Sequence, residues 1–376
     1  MDTKNQPENP GRRGVIKTAL GVGVAMYSPF VWTRSRVAPQ QIVIRDPGGV
    51  LSRLYKKVLY EPFTRKTGIK VINVWSDAEP TAYIRTMVET KSQSWDMASL
   101  SHRAILYLTT GKNIYLKKHG LESDPIVSGI APQFISPYGV GTNVYTTVLT
   151  YRKDIFKNRQ APLSWRDLWD VDNFPGRRGL RKLPFDTIEQ ALMADGVTPS
   201  EVYTCDLERA FRSLDKIKPH IAVWWTSGPQ IEQILNSGEV DLMPALISKL
   251  QAATSAGAPF AFSWDQHIYG YDNWAIFEET RNADACREFI KFASHPERQA
   301  LLAPDAIGPT HPGAFNHIAP QQAKLLQTYP NNLKKGLFID ASYWLKNQST
   351  TIERFNEWML SDKKHAPLGL IPLRYS

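Results

Sequence analysis

Residues 221–250, IAVWWTSGPQIEQILNSGEVDLMPALISKL, constrain the fold more than any other stretch of the chain. An apolar and aromatic run over 221–225 predicts a strand. Thr226-Ser227-Gly228-Pro229 interrupts it, and Pro229 suits a first helical turn, where its missing N–H costs nothing. Ile231, Ile234 and Leu235 recur at helical spacing and predict one buried helix face. Ser237-Gly238 ends that helix, and 240–243 reads as a second strand. Strand, helix and strand in this order form a right-handed βαβ unit of a parallel sheet. Ligands of such sheets gather at the carboxyl ends of the strands. Here that end carries Trp225, Thr226 and Ser227 beside a helix N-terminus, so the stretch predicts part of a small-molecule cleft.

A chain of 376 residues with 42% hydrophobic side chains is long enough for two domains with real cores. The formal net charge of +9 raises the question of nucleic acid. Lys4, Arg12, Arg13, Lys17, Arg34 and Arg36 concentrate much of it in the first 41 residues, against Asp2 and Glu8. The remainder carries no dense basic stripe with interleaved aromatics, so a nucleic-acid partner is not expected. Cys205 and Cys286 stand far apart, with no CxxC and no Cys/His cluster. They are expected to pack as small hydrophobes, and no metal or cofactor is expected.

The first forty residues read as an address. Gly11-Arg12-Arg13-Gly14-Val15-Ile16-Lys17 precedes a moderately apolar run over 18–31, too short and too Gly/Pro-interrupted for a membrane span. The pattern resembles a twin-arginine export signal. Arg34 and Arg36 crowd the place of a cleavage site, and a basic tail with no address is the alternative.

The folded part opens with a β-branched run at 41–45 and the turn Asp46-Pro47-Gly48-Gly49, followed by a helix over 51–67 that Gly68 stops. A second strand is expected over 69–75 and a helix over 82–90. Between them Asp77 and Glu79 can cap that helix or meet a cation. A third strand over 95–99 leads into Ser101 and His102, the latter read as a surface residue. Residues 143–151 and 266–277 predict two long strands passing between domains, the second carrying a lone acid, Asp272. A separate strand is expected over 260–264, and an amphipathic helix over 347–360. No P-loop, nucleophile elbow, H-E-x-x-H or dinucleotide fingerprint occurs, so an enzyme is not expected.

The order of RDPGG, YEPFTRKTGIKV, AEPTAYIRTMVE, SWDMASLS, YGVGT, SWRDLWD, NFPGRRGLRKLPFDT, WWTSG, GEVDLM and YDNWAI resembles the solute-binding proteins of ABC importers, in the spermidine/putrescine-binding group. The resemblance implies an α/β fold of the two-lobed periplasmic binding type (type II), each lobe a mostly parallel sheet flanked by helices. The expected divisions are a leader over 1–40, lobe one over 41–149 and 271–330, lobe two over 150–270 and 331–362, and a tail over 363–376. It further implies a monomer in the periplasm that closes on a solute and hands it to an inner-membrane permease. On the family's pattern Asp272 grips an amine from the returning strand, and Asp186 supplies a second acid. Trp225, Tyr271 and Trp75 offer an aromatic shelf; Asp77, Glu79, Ser101, Thr226 and Ser227 complete the candidate set. Carboxylates at the ends and aromatic faces along the middle suit a polyamine. Arg181 and Lys182 stand beside Asp186 and repel one, which keeps an amino acid, an aminophosphonate or another zwitterionic or anionic solute as the alternative. An enzyme or a sensory receptor on the same scaffold are the remaining classes.

Overall fold

The computed structural model describes residues 41–76 and 79–361. Asp77, the export-signal reading over 1–40 and the tail beyond 361 lie outside the described residues.

Eleven strands join in one sheet: β1 (Gln41–Asp46), β2 (Lys70–Trp75), β3 (Met97–Ser101), β4 (Leu116–Lys117), β5 (Ile135–Ser136), β6 (Gly139–Arg152), β7 (Arg178–Arg181), β8 (Ile221–Trp225), β9 (Leu242–Leu246), β10 (Phe260–Phe277) and β11 (Leu337–Phe338). Their main order is β2-β1-β3-β10-β6-β9-β7-β8, with β4 and β11 on β10 and β5 on β6. β1 runs parallel to β2 and β3; β7 runs parallel to β8 and β9. Between these parallel sets stand β6 and β10, antiparallel to each other from Phe260↔Arg152 to Trp274↔Val140. The far part of β10, Asp272–Ile276, pairs β3, whereas the far part of β6, Thr147–Tyr151, pairs β9. Each long strand therefore belongs to both ends of the sheet.

Separate cores follow from this layout. Ile42, Ile44, Tyr55, Phe63, Trp274 and Phe289 pack at one end. Trp165, Leu180, Ile188, Leu214, Trp344 and Phe355 pack at the other. Helix signals in the sequence translate directly. Gly68 takes the left-handed conformation (φ 77°) that ends Glu61–Thr67, and Gly238 (φ 68°) ends Gly228–Ser237. Ser227 caps the latter through a reciprocal capping box with Gln230.

Several expectations shift. The strand 240–243 becomes β9, starting at Leu242, and β7 lies between β8 and β9, so the connecting helix crosses over one strand. The strand expected over 95–99 sits two residues later, which makes Ser101 the last strand residue and the N-cap of the helix His102–Thr109. Residues 260–264 are not a separate strand. They continue into β10 through an irregularity between Ser263 and Ile268, where Gln266 has φ 59°. The last helix begins six residues early, at Ala341, because Asp340 accepts from Tyr343 N–H.

Candidate functional site

Where the two long strands cross, a cleft of about 830 Å³ opens between the sheet ends. Its floor is β6, from Asn143 to Thr147, with Asp272 of β10. One wall is the Pro47–Leu51 turn with Ser101 and Arg103; the other holds Arg181, Phe185, Asp186, Trp225 and Trp344.

The acids are placed by the strands. Asp272 lies opposite Asn143 in the β6–β10 ladder, and Asn143 Nδ2 donates to its carboxylate at 3.2 Å. Tyr55 in turn donates to Asn143 Oδ1 at 2.6 Å, which fixes the amide. Burial, then the neighbouring charge of Glu79, push the Asp272 carboxyl up to about 7; the Asn143 bond and Arg45 oppose this. Asp186 stands at the N-cap position of Thr187–Ala194 with φ 66°, an unusual conformation for a residue other than glycine. Thr147 Oγ1 donates to its carboxylate at 2.9 Å, and Arg181 Nη1 lies 3.3 Å away. Both acids are thus tied to β6, four residues apart, by side chains of the cleft floor.

Of the cations, Arg181 stands beside Asp186 as the sequence suggested, and Arg103 was missed. Arg103 lies 4.5 Å from the centre of the Phe185 ring, reaching from one wall to the other, and 3.8 Å from Glu79. The Arg181 guanidinium sits 5.6 Å from the Trp225 ring. Arg181 Nε and Trp225 Nε1 are both buried, and neither has a hydrogen-bond partner among the described residues. Buried donors without acceptors are costly, and these two stand side by side at the cleft wall. Lys249, also in the lining, is paired with Glu232 at 2.6 Å.

Of the sequence candidates, Asp272, Asp186, Trp225, Ser101 and Thr226 line the cleft. Tyr271 does not. Neighbouring residues of a strand point to opposite faces, and Tyr271 is 2% exposed, stacked on His102 and Phe338 with its hydroxyl 2.8 Å from His102 Nδ1. His102 is correspondingly half-buried rather than a surface residue. Trp75, 65% exposed, lies outside the lining and covers the Gly48 turn; a Cβ on Gly48 would come within 3.1 Å of its ring. Glu79 neither caps the following helix nor lines the cleft. It accepts from Ser101 N–H (2.6 Å) and Ser101 Oγ (2.8 Å). Ser227 is spent on its capping box. Arg103, Phe185, Asn143, Tyr145 and Trp344 are lining residues that carried no local signal beyond lying near strand ends or helix starts.

Cys205 and Cys286 are buried free thiols. Among the described residues no group of three or more His, Cys, Asp or Glu is arranged to hold a metal ion, and no helix is long and apolar enough to cross a membrane.

Several proteins similar to this chain are solute binders. Residues 59–328 match the family model for bacterial extracellular solute-binding proteins. The gamma-aminobutyric acid-binding protein of Pseudomonas aeruginosa is 32% identical over 329 residues, 85% of this chain and 91% of its own length. The spermidine/putrescine-binding periplasmic protein of Escherichia coli is 23% identical over 286 residues, 73% and 79% of the two chains. The crystal structure of an ABC transporter substrate-binding protein from Bradyrhizobium japonicum superposes with a TM-score of 0.78 at 33% identity, covering 85% of this chain and 99% of that one. A GABA receptor of known structure superposes at 0.75 with 28% identity, covering 87% and 98%. The fold is accordingly the two-lobed type II binding fold, and the chain belongs to the family of bacterial extracellular solute-binding proteins.

Proposed function

We propose that this protein is the periplasmic solute-binding component of an ABC importer, and that it captures a small amino acid carrying one amine and one carboxylate, of the gamma-aminobutyric acid class. The observation that carries this reading is the sign of the charges in one cleft. Asp272 lies on the floor and Asp186 on the wall beside it, and the guanidinium groups of Arg103 and Arg181 stand at the walls. A polyamine, the first expectation from sequence, satisfies the acids and is repelled by both arginines. A zwitterion satisfies both sets. The guanidinium groups of Arg103 and Arg181 supply donors for a carboxylate oxygen, and guanidinium–carboxylate bonds are among the stronger polar contacts. The relatives support the same choice. The gamma-aminobutyric acid-binding protein is the more similar of the two curated relatives named above.

The lobes of this reading meet at β6 and β10: 41–149 with 271–330 form the first, and 150–270 with 331–362 the second. The protein acts as a monomer and closes on the solute, which it delivers to a membrane permease without chemical change. Titration calorimetry with gamma-aminobutyric acid and with putrescine tests the solute class. The amino acid is expected to bind about a hundredfold more tightly, since putrescine leaves the arginines facing a cation. Tighter binding of putrescine overturns the reading.

A further inference from the structure

Lobe two contains an acid that the site as described leaves out. Glu189 sits in the first turn of Thr187–Ala194 and is 0% exposed. Its Oε1 accepts two hydrogen bonds, from Trp344 Nε1 at 2.7 Å and from the Tyr203 hydroxyl at 2.8 Å. Its Oε2 has no partner among the described residues. Tyr203 lies 5.6 Å from Tyr343, and Tyr343 meets Trp344 edge-on at 5.5 Å, so three aromatic rings close around the carboxyl. The other side of Trp344 belongs to the cleft. It lines the wall and stands 4.6 Å from Phe185, the ring over which Arg103 reaches.

A glutamine would accept the same two bonds without the cost of burying a charge. The carboxyl is therefore more than an acceptor. Only one aromatic layer separates it from the cleft, and in so dry a place a negative charge acts over that distance with little screening. The groups facing it are Asp186 from the start of its own helix, Tyr203 and Cys205 from the segment before Leu207–Ile217, and Tyr343 with Trp344 from Ala341–Leu360. None of these is a cation. Burial and then the charge of Asp186 push the carboxyl up to about 7.

We propose that Glu189 is a positioning residue for the bound solute: its carboxylate orients the Trp344 wall and sets a negative charge behind it that favours the solute's ammonium group. This rests on the cleft being the solute site, as inferred above.

Two measurements test it. The first needs no solute. Tryptophan emission is followed from about pH 5 to 9 in the wild type and in W344F, and the difference isolates Trp344. That difference is expected to titrate near neutral pH and to be flat between E189Q and E189Q/W344F. Calorimetry with gamma-aminobutyric acid is the second. E189Q is expected to weaken binding about tenfold near pH 8 and by less than about threefold near pH 5.5, where the wild-type carboxyl is itself neutral. A role confined to packing predicts equal losses at both pH values and overturns the proposal, as do unchanged affinity or an emission difference that does not titrate. If the wild type binds no gamma-aminobutyric acid, the assignment of the solute fails, and the emission titration alone decides for or against Glu189. Should E189Q not fold, Y203F removes one bond to the carboxylate and is expected to move the Trp344 midpoint upward; an unmoved midpoint counts against the proposal.

Discussion

The carboxyl of Asp272 is half-buried on the cleft floor and lies near enough to Glu79 to feel its charge; partial burial and that charge hold its proton up to about 7, against an ordinary 3.8. The folded protein thus binds this proton more tightly than the unfolded chain does. Stability falls as pH rises from about 4 to about 7, and the penalty is complete above that window. Asp272→Asn is expected to raise the melting temperature of the solute-free protein near pH 8 by a few degrees, about 1–3 kcal/mol, and to leave it nearly unchanged near pH 4. The same variant should lose affinity for an amine-bearing solute. Differential scanning calorimetry at both pH values checks the first part, and a lower melting temperature near pH 8 would contradict this account of the site. At this scale Asp272 stood out in the sequence as a lone acid in an aromatic strand, whereas Asp186 was marked only by the family resemblance; both line the cleft. Arg103 did not stand out, since a basic residue two places past a strand end is usually solvated. Only the tertiary approach of Phe185 shows where its guanidinium goes. Tyr271 was misread for a simpler reason: it neighbours the key acid in sequence, and strand alternation therefore sends it to the opposite face.

Elements, unlike residues, could mostly be read from local signals. Capping residues, left-handed glycines and apolar periodicity gave Gly228–Ser237, Thr187–Ala194 and the paired long strands. What local signals left out was strand order. Nothing within 221–250 announces that β7 inserts between β8 and β9, because that depends on which strand of the lobe reaches the sheet edge. The closeness of β6 and β10 also has a checkable side. Gly270 faces Tyr145 in the ladder, and a Cβ there would lie 2.5 Å from the Tyr145 hydroxyl. Tyr145 lines the cleft, so Gly270→Ala must displace its ring within the site. The variant is expected to fold with a stability loss of about 1–3 kcal/mol and to weaken solute binding about tenfold or more. Equal affinity in wild type and variant would mean that Tyr145 has room to move without touching the solute.

On the scale of the whole molecule, closure is expected to show in solution scattering. Saturating gamma-aminobutyric acid should reduce the radius of gyration, and at about a hundredfold excess over Kd it should add about 2.7 kcal/mol to stability. An unchanged radius at saturation would mean that the lobes already stand in their bound arrangement. The route between the two arrangements is narrowed by the ladder itself. β6 and β10 stay hydrogen-bonded to each other on both sides of the crossing, and their register breaks only between Ser263 and Ile268 and between Asp272 and Asn273. A pivot at one peptide would tear that ladder. The strands can instead absorb the rotation as added coiling shared over many residues, much as a ribbon takes up torque along its length. Backbone amides at the crossing should then exchange with deuterium as slowly in the empty protein as in the loaded one, while the cleft on either side opens and shuts.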